Sequence, residues 1–264
     1  MSMERTVLLV AGIMGVAAVP LVGVPAQAAA PSEAPSDDRP ATETPKRSGQ
    51  SRLQRLTKDY DLWIDPKRKL VVVDGEVCLR EGQLEMFACP QGTKEHESVV
   101  AVNCKAQYVH AALLAVGARP GQPVRFQPEY QPATGTEIDI YVLWKDKDGT
   151  KHTERAQQWV KYLKTGKAMP FPWVFAGSGF WTDPDTGERY YQADGGDFIC
   201  VSNFPTAMLD LPVHSSQANE ELLFTAFTEH IPPVGTKVRL VLIPKLDKKA
   251  KPTKQQPPGT SARE

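Results

Sequence analysis

The sequence predicts an α+β fold: one sheet-dominated domain of mostly antiparallel strands, sandwich-like, with one principal helix at about residues 105–116. Three observations carry that expectation. Short runs rich in Val, Ile, Phe, Tyr and Trp recur between residues 52 and 246, separated by turns containing Gly, Pro and Asp. Only one window, "KAQYVHAALLAVG", repeats its apolar residues at helical spacing. The two ends read as leader, linker and tail, which leaves a single stretch long enough to bury a core.

Residues 1–28 have the pattern of an export signal. Arg5 supplies the positive start, Thr6 to Val24 is almost wholly apolar, and Ala26-Gln27-Ala28 is an A-x-A cleavage pattern. Left uncleaved, that apolar run is long enough to be a membrane anchor, and this is the one route by which a membrane partner is expected. Residues 29–51 are rich in Pro, Ala and Ser, and such a segment cannot bury enough surface to offset its ordering entropy. Residues 247–264 form a similar but basic tail, in a region carrying Lys245, Lys248, Lys249, Lys251 and Lys254. The expected organisation is a signal peptide over 1–28, a disordered linker over 29–51, a folded domain over 52–246 and a disordered tail. The protein is thus expected to be exported, to the periplasm, the cell surface or the medium. Its 31 basic and 31 acidic side chains cancel, so no whole-protein field favours a nucleic acid.

Within the domain, "KLVVVDGEVCLREGQLEMFACP" reads as a hairpin turning at Glu81-Gly82, with Leu79 opposite Leu84, Val77 opposite Met86 and Gly75 opposite Ala88. That register sets Cys78 and Cys89 roughly 13 Å apart at strand rise, beyond the separation of about 7 Å that a disulfide tolerates. "SVVAV" is a short buried strand. Asn103 is placed to cap the helix, Ala106, Val109, His110 and Leu113 share its inner face, and Gly117 stops it. "TEIDIYVLWKD" and "TKHTERA" meet at the turn "KDKDGT". "PWVFAGSGFWTD" and "ERYYQADGGDFICVSN" are divided by "DPDTG", and "ELLFTAFTEH" and "TKVRLVLIP" close the domain.

The stretches "VVVDGEVCLREGQLEMFACPQGTKEHESVVAV", "HAALLAVGARPGQPV", "VFAGSGF" and "GDFICVSNFPTAMLDLP" resemble the YdjY-domain family over about residues 65–245. The resemblance implies a bacterial domain, often exported, some members of which carry a ferredoxin-like label. The residues here do not suit that label. Cys78, Cys89, Cys104 and Cys200 are spaced 11, 15 and 96 apart, with no C-x-x-C, and an iron–sulfur cluster is not expected.

Export favours disulfides, and Cys89–Cys104 would close a sixteen-residue loop, stabilising by about 3 kcal/mol in the chain-entropy model. Four free thiols are the other outcome. Cys89, His96 and Cys104, completed by Glu95 or Glu97, contain the donors that zinc or another divalent metal takes, though their spacing is looser than in usual zinc sites. His110 reads as a core histidine, and "FAGSGF" lacks the outer glycines of a nucleophile elbow.

Two functions follow from this reading. The first is a non-enzymatic envelope or secreted module, binding a protein or polysaccharide through the loop at Lys94 and the aromatics Trp173 and Trp181, with no cofactor. The second is a metal-binding or thiol-redox protein centred on Cys89, His96 and Cys104. No catalytic residue is assigned.

Overall fold

"SVVAV" decides the architecture. All five of its residues are buried, and a buried strand must pair its backbone groups on both edges. In a computed structural model, which describes residues 53–215 and 222–246, it does so in a way that closes the sheet on itself. The expected signal peptide, linker and basic tail all lie outside the described residues.

Eight strands form the ring: β1 (Leu70–Val77), β2 (Met86–Pro90), β3 (Ser98–Val102), β4 (Glu137–Lys145), β5 (Trp173–Phe175), β6 (Ile199–Cys200), β7 (Leu209–Asp210) and β8 (Lys237–Pro244). Around the barrel they run β1, β8, β4, β5, β7, β6, β2, β3, and β3 returns to β1. The joints β2–β3 and β6–β7 are parallel and the others antiparallel.

The expected sandwich-like α+β domain is therefore corrected to a closed barrel, mostly strand, with a single α-helix among the described residues. A sandwich keeps two sheets with free edges facing across the core, and closure abolishes those edges. The expected hairpin fails for the same reason. Its two strands are both present, but β3 lies between them, pairing Val77 with Val100 on one side and Ala88 with Val100 on the other. Residues 78–85 form an irregular crossing in place of a turn, where Leu84 donates its N–H to the Phe224 carbonyl (3.1 Å).

β1 is shared between two partners. Its first half pairs with the strand Leu62–Asp65 and its last three residues with β3. Gly75 sits at the changeover, where a Cβ would stand 2.4 Å from the Ala101 carbonyl oxygen, so the close approach of β3 requires glycine.

The helix α1 (Ala106–Ala115) packs Val109, Ala112 and Leu113 against β1 and the Leu62–Asp65 strand. Its cap is not Asn103, whose amide donates to Asp61 instead (3.0 Å). Asp194, distant in sequence, accepts the Gln107 N–H (3.0 Å) and so satisfies a first-turn donor. Gly117, at φ +100°, ends the helix as expected.

Three smaller pieces decorate the barrel. Lys151–Arg155 extends β4 as the expected hairpin. Phe180–Thr182 pairs with Arg189–Tyr191 in a separate two-stranded hairpin. Val160–Tyr162, Lys167–Ala168 and Phe224–Ala226 make a three-stranded sheet. The barrel interior and the layer beneath α1 form one continuous apolar core, which includes Phe87, Trp173, Phe175, Phe198, Ile140 and Leu240. Burying each such side chain stabilises the fold by about 1.5–3 kcal/mol.

Candidate functional site

Strands β2 and β3 are parallel neighbours, so the seven residues between them must run back along the barrel before β3 can start. That return segment carries Lys94-Glu95-His96-Glu97, and it turns through a 3-10 helix at Glu95–Glu97. Alternate residues of the segment part company. His96 stands outward with 76% of its side chain exposed, its Nε2 3.9 Å from Glu97 Oε2. Lys94 turns inward.

The Lys94 ammonium lies 3.1 Å from Asp197 Oδ1 and 3.5 Å from Glu97 Oε1, and 4.6 Å above the centre of the Phe204 ring. Gly196 makes room for its stem, since a Cβ there would meet Lys94 Cγ at 2.5 Å. The other Asp197 oxygen accepts the Thr206 hydroxyl. Burial alone would lower the Lys94 pKa, but Asp197, Glu97 and Glu85 together hold it above the usual value. Burial and the neighbouring Glu97 raise Glu85. One cation thus sits among three carboxyl groups, and Glu85 holds its proton to higher pH than an ordinary glutamic acid. The cluster ties the return segment to the loop before β6, and it uses the lysine that was expected to face a partner.

The cysteines do not converge. All four are free thiols. Cys78 donates to the Ser98 carbonyl (3.0 Å), and burial pushes its thiol up to about 12. Burial also raises Cys89, whose sulfur neighbours Ser98 and Thr93. Cys104 lies beside Asp194 and Asp61, and its thiol too is pushed up to about 12, chiefly by burial. Cys200, completely buried within β6, is also raised well above the usual thiol value by burial. Among the described residues no three His, Cys, Asp or Glu side chains are grouped closely enough to hold a metal ion, so Cys89, His96, Cys104, Glu95 and Glu97 are not assembled as one ligand set. Glu95 instead accepts the Gly92 N–H within its own turn.

His110 and Ser178 belong to the frame. Tyr191 donates its hydroxyl to the Gly177 carbonyl (2.9 Å), and His110 Nδ1 lies 2.8 Å from the same hydroxyl. With that hydroxyl proton committed to Gly177, Nδ1 is the donor to it, and burial lowers the His110 pKa so that the ring stays neutral. Ser178 donates to the Thr206 carbonyl (2.6 Å) and accepts the Ala193 N–H (3.2 Å), which leaves its hydroxyl committed to loop geometry.

The frame supports the hairpin that rises from Gly179. Trp173 and Trp181, both expected at a binding surface, separate here. Trp173 is fully buried in the barrel, packing on Phe87 and donating Nε1–H to the Cys200 carbonyl (2.7 Å). Trp181 is on the hairpin, where Phe180, Trp181 and Tyr190 are 56%, 46% and 47% exposed. The Asp183–Gly187 turn sets the register, with Asp183 accepting the Asp185 and Thr186 N–H groups (2.8 and 3.1 Å). Trp181 is thereby placed opposite Tyr190, their rings 29° from parallel with centroids 5.9 Å apart. Arg189 covers Phe180 at 4.7 Å. Tyr190 was not among the expected binding aromatics, although counting two residues back from "DPDTG" and three onward from it pairs Trp181 with Tyr190.

An open groove of about 1690 Å³ lies elsewhere, between the β4 hairpin and residues 232–239. Two charge pairs line it: Arg239 bonds both Asp74 oxygens (2.6 and 2.7 Å), and His152, stacked on Trp144, pairs with Asp146 at 2.8 Å.

No curated protein and no solved structure matches the sequence. The family model described as the YdjY domain matches residues 62–243, which contain all eight barrel strands but the last residue of β8, together with α1, the Lys94 cluster and the aromatic hairpin. The chain belongs to the YdjY-domain family.

Proposed function

We propose that this protein is an exported, non-enzymatic binding module that holds an envelope polysaccharide against the stacked pair formed by Trp181 and Tyr190. One observation carries the reading: Trp181 and Tyr190 stack together, exposed, on one face of a hairpin whose base is fixed. Tyr191 anchors that base through Gly177 and His110, and Gln192 donates its N–H to the Gly179 carbonyl (2.9 Å). Aromatic rings held in place offer large contact area with little side-chain entropy left to lose on binding. Sugar rings present C–H faces that stack on such surfaces, and hydroxyls that suit the carboxylates of Asp185 and Glu188 nearby. Thr6–Val24 and the A-x-A pattern at Ala26–Ala28 support delivery to an envelope compartment.

The test is binding of the protein to a panel of soluble bacterial envelope polysaccharides by calorimetry, with the double variant Trp181→Ala, Tyr190→Ala beside it. Stacking on two rings is worth about 1–3 kcal/mol in all, so affinity should fall about tenfold or more while thermal stability stays unchanged. Equal affinity of the variant, or no binding by the wild type to any member of the panel, would overturn the reading.

A further inference from the structure

Helix α1 carries no Asp, Glu, Lys or Arg along its whole length, Ala106 to Ala115. Its inner face is spent on the core, as Ala106, Val109, Ala112 and Leu113 are buried. Its outer face is Tyr108, Ala111, Leu114 and Ala115, all exposed. These positions recur at three- and four-residue spacing and so form one stripe. A helix that faces water on one side normally carries charge there, and one apolar all round is normally covered. Tyr108 and Leu114, the large members of the stripe, remain 40% and 46% exposed.

The surroundings say what covers it. Bases stand at both ends of the stripe: Lys105 is exposed just before the helix, and Arg119 just after it. Leu246, also exposed, reaches the helix end, its Cδ1 only 3.5 Å from where a Gly117 Cβ would be. Four lysines, Lys248, Lys249, Lys251 and Lys254, follow Leu246 within eight residues of sequence. At the other end of the domain, Leu53 and Leu56 are exposed on either side of the edge strand Gln54–Arg55, which adjoins the Leu62–Asp65 strand under α1. Tyr60 meets Tyr108 there, with ring centroids 5.0 Å apart.

We infer that the outer face of α1 docks on an anionic phospholipid surface. The stripe enters the headgroup boundary, and Lys105 and Arg119 meet phosphates. An apolar helix face bordered by bases is the arrangement that lies in the plane of a bilayer interface, and each juxtamembrane base contributes through the negative surface potential. The stripe uses none of the residues of the aromatic hairpin.

The complete barrel and its core lie within residues 48–264, a stretch that excludes the apolar run Thr6–Val24 that would insert by itself. Cosedimentation of this stretch is measured with large vesicles of phosphatidylcholine, and with the same vesicles containing about one third phosphatidylglycerol. Wild type should bind only the anionic vesicles, and less as salt is raised. The variant Tyr108→Glu, Leu114→Glu should lose about tenfold or more in partitioning, with an unchanged melting transition because both side chains are exposed. Should that variant fail to fold, hydrogen exchange of wild-type α1 with and without anionic vesicles replaces it, and slowed exchange over residues 106–117 is the expected result. Absence of vesicle binding overturns the inference, as does binding that survives the double substitution, which would assign it to the lysine run alone. A dimer of the wild type that the double substitution dissociates would assign the stripe to a second copy, and equally overturns it.

Discussion

Asp210 offers a sharp test of how the barrel is held together, because its chemistry conflicts with its position. It ends β7 with no exposed surface. One oxygen accepts the Asn203 amide (3.0 Å) and the Leu211 N–H (2.7 Å), while Oδ2 has no partner of hydrogen-bonding geometry. Burial dominates these bonds and pushes the carboxyl from 3.8 up to about 7. A group whose folded pKa is raised contributes stability that is fully present below its unfolded value and is lost as pH rises through the folded value. The gap is about three pH units, and at about 1.4 kcal/mol each it amounts to about 4 kcal/mol lost between pH 4 and pH 8. Asp210→Asn keeps the accepting oxygen and removes the charge. Denaturant unfolding of both proteins at pH 5 and pH 8 is the assay. Because more than about 1 kcal/mol of that loss has already occurred by pH 5, the variant should gain about 3 kcal/mol on wild type between pH 5 and pH 8. Parallel responses of the two proteins to pH would refute the reasoning, since Asp210 would then be charged, or neutral, throughout that range.

Other expectations follow from the same packing. Trp173→Ala removes a fully buried ring from the barrel together with its bond to Cys200, and should cost about 3–5 kcal/mol in denaturant unfolding. Gly75→Ala would press a methyl group into the Ala101 carbonyl and separate β1 from β3, at a cost of about 3 kcal/mol; a neutral effect would mean that the barrel does not close at this joint. Cys78 and Cys104, with thiols at about 12, are thiolate to only about one part in ten thousand at pH 8. Alkylation followed by mass spectrometry should therefore leave both unlabelled in the native protein and label them once denaturant is added.

Much of the local structure was legible because it depends on neighbours in sequence. The window from Ala106 to Gly117 carries its own period and stop, and the "KDKDGT" and "DPDTG" turns join the strands expected of them. What escaped depends on partners distant in sequence. Nothing in residues 70–90 announces that Ser98–Val102 will slide between the two halves of an apparent hairpin, because a strand apolar on both faces accepts either neighbour. The helix cap moved for a similar reason. Asn103 had the right chemistry and position, but Asp61 took its amide, and Asp194 supplied the acceptor from 87 residues further on.

The site was mistaken in a more instructive way. Lys94, Glu95, His96 and Glu97 look like one polar unit when read along the chain, and charge in a loop suggests display. The parallel joint between β2 and β3 compels that loop to lie against the barrel, so some of its charges must face inward and find counter-charges there. Lys94 finds Asp197 and Glu97, and its motif becomes a clasp between two loops. Of the two tryptophans expected at a binding surface, only Trp181 is displayed. Trp173 and Trp181 are eight residues apart, and a hydrophobicity scale rates them the same. Only the barrel separates them: β5 lies within its wall, so Trp173 has an interior to fill, whereas the hairpin after Gly179 leaves the wall and gives Trp181 none. Aromatic side chains that a closed core cannot use, on a hairpin anchored by the buried Tyr191, are what make Trp181 and Tyr190 a surface to test.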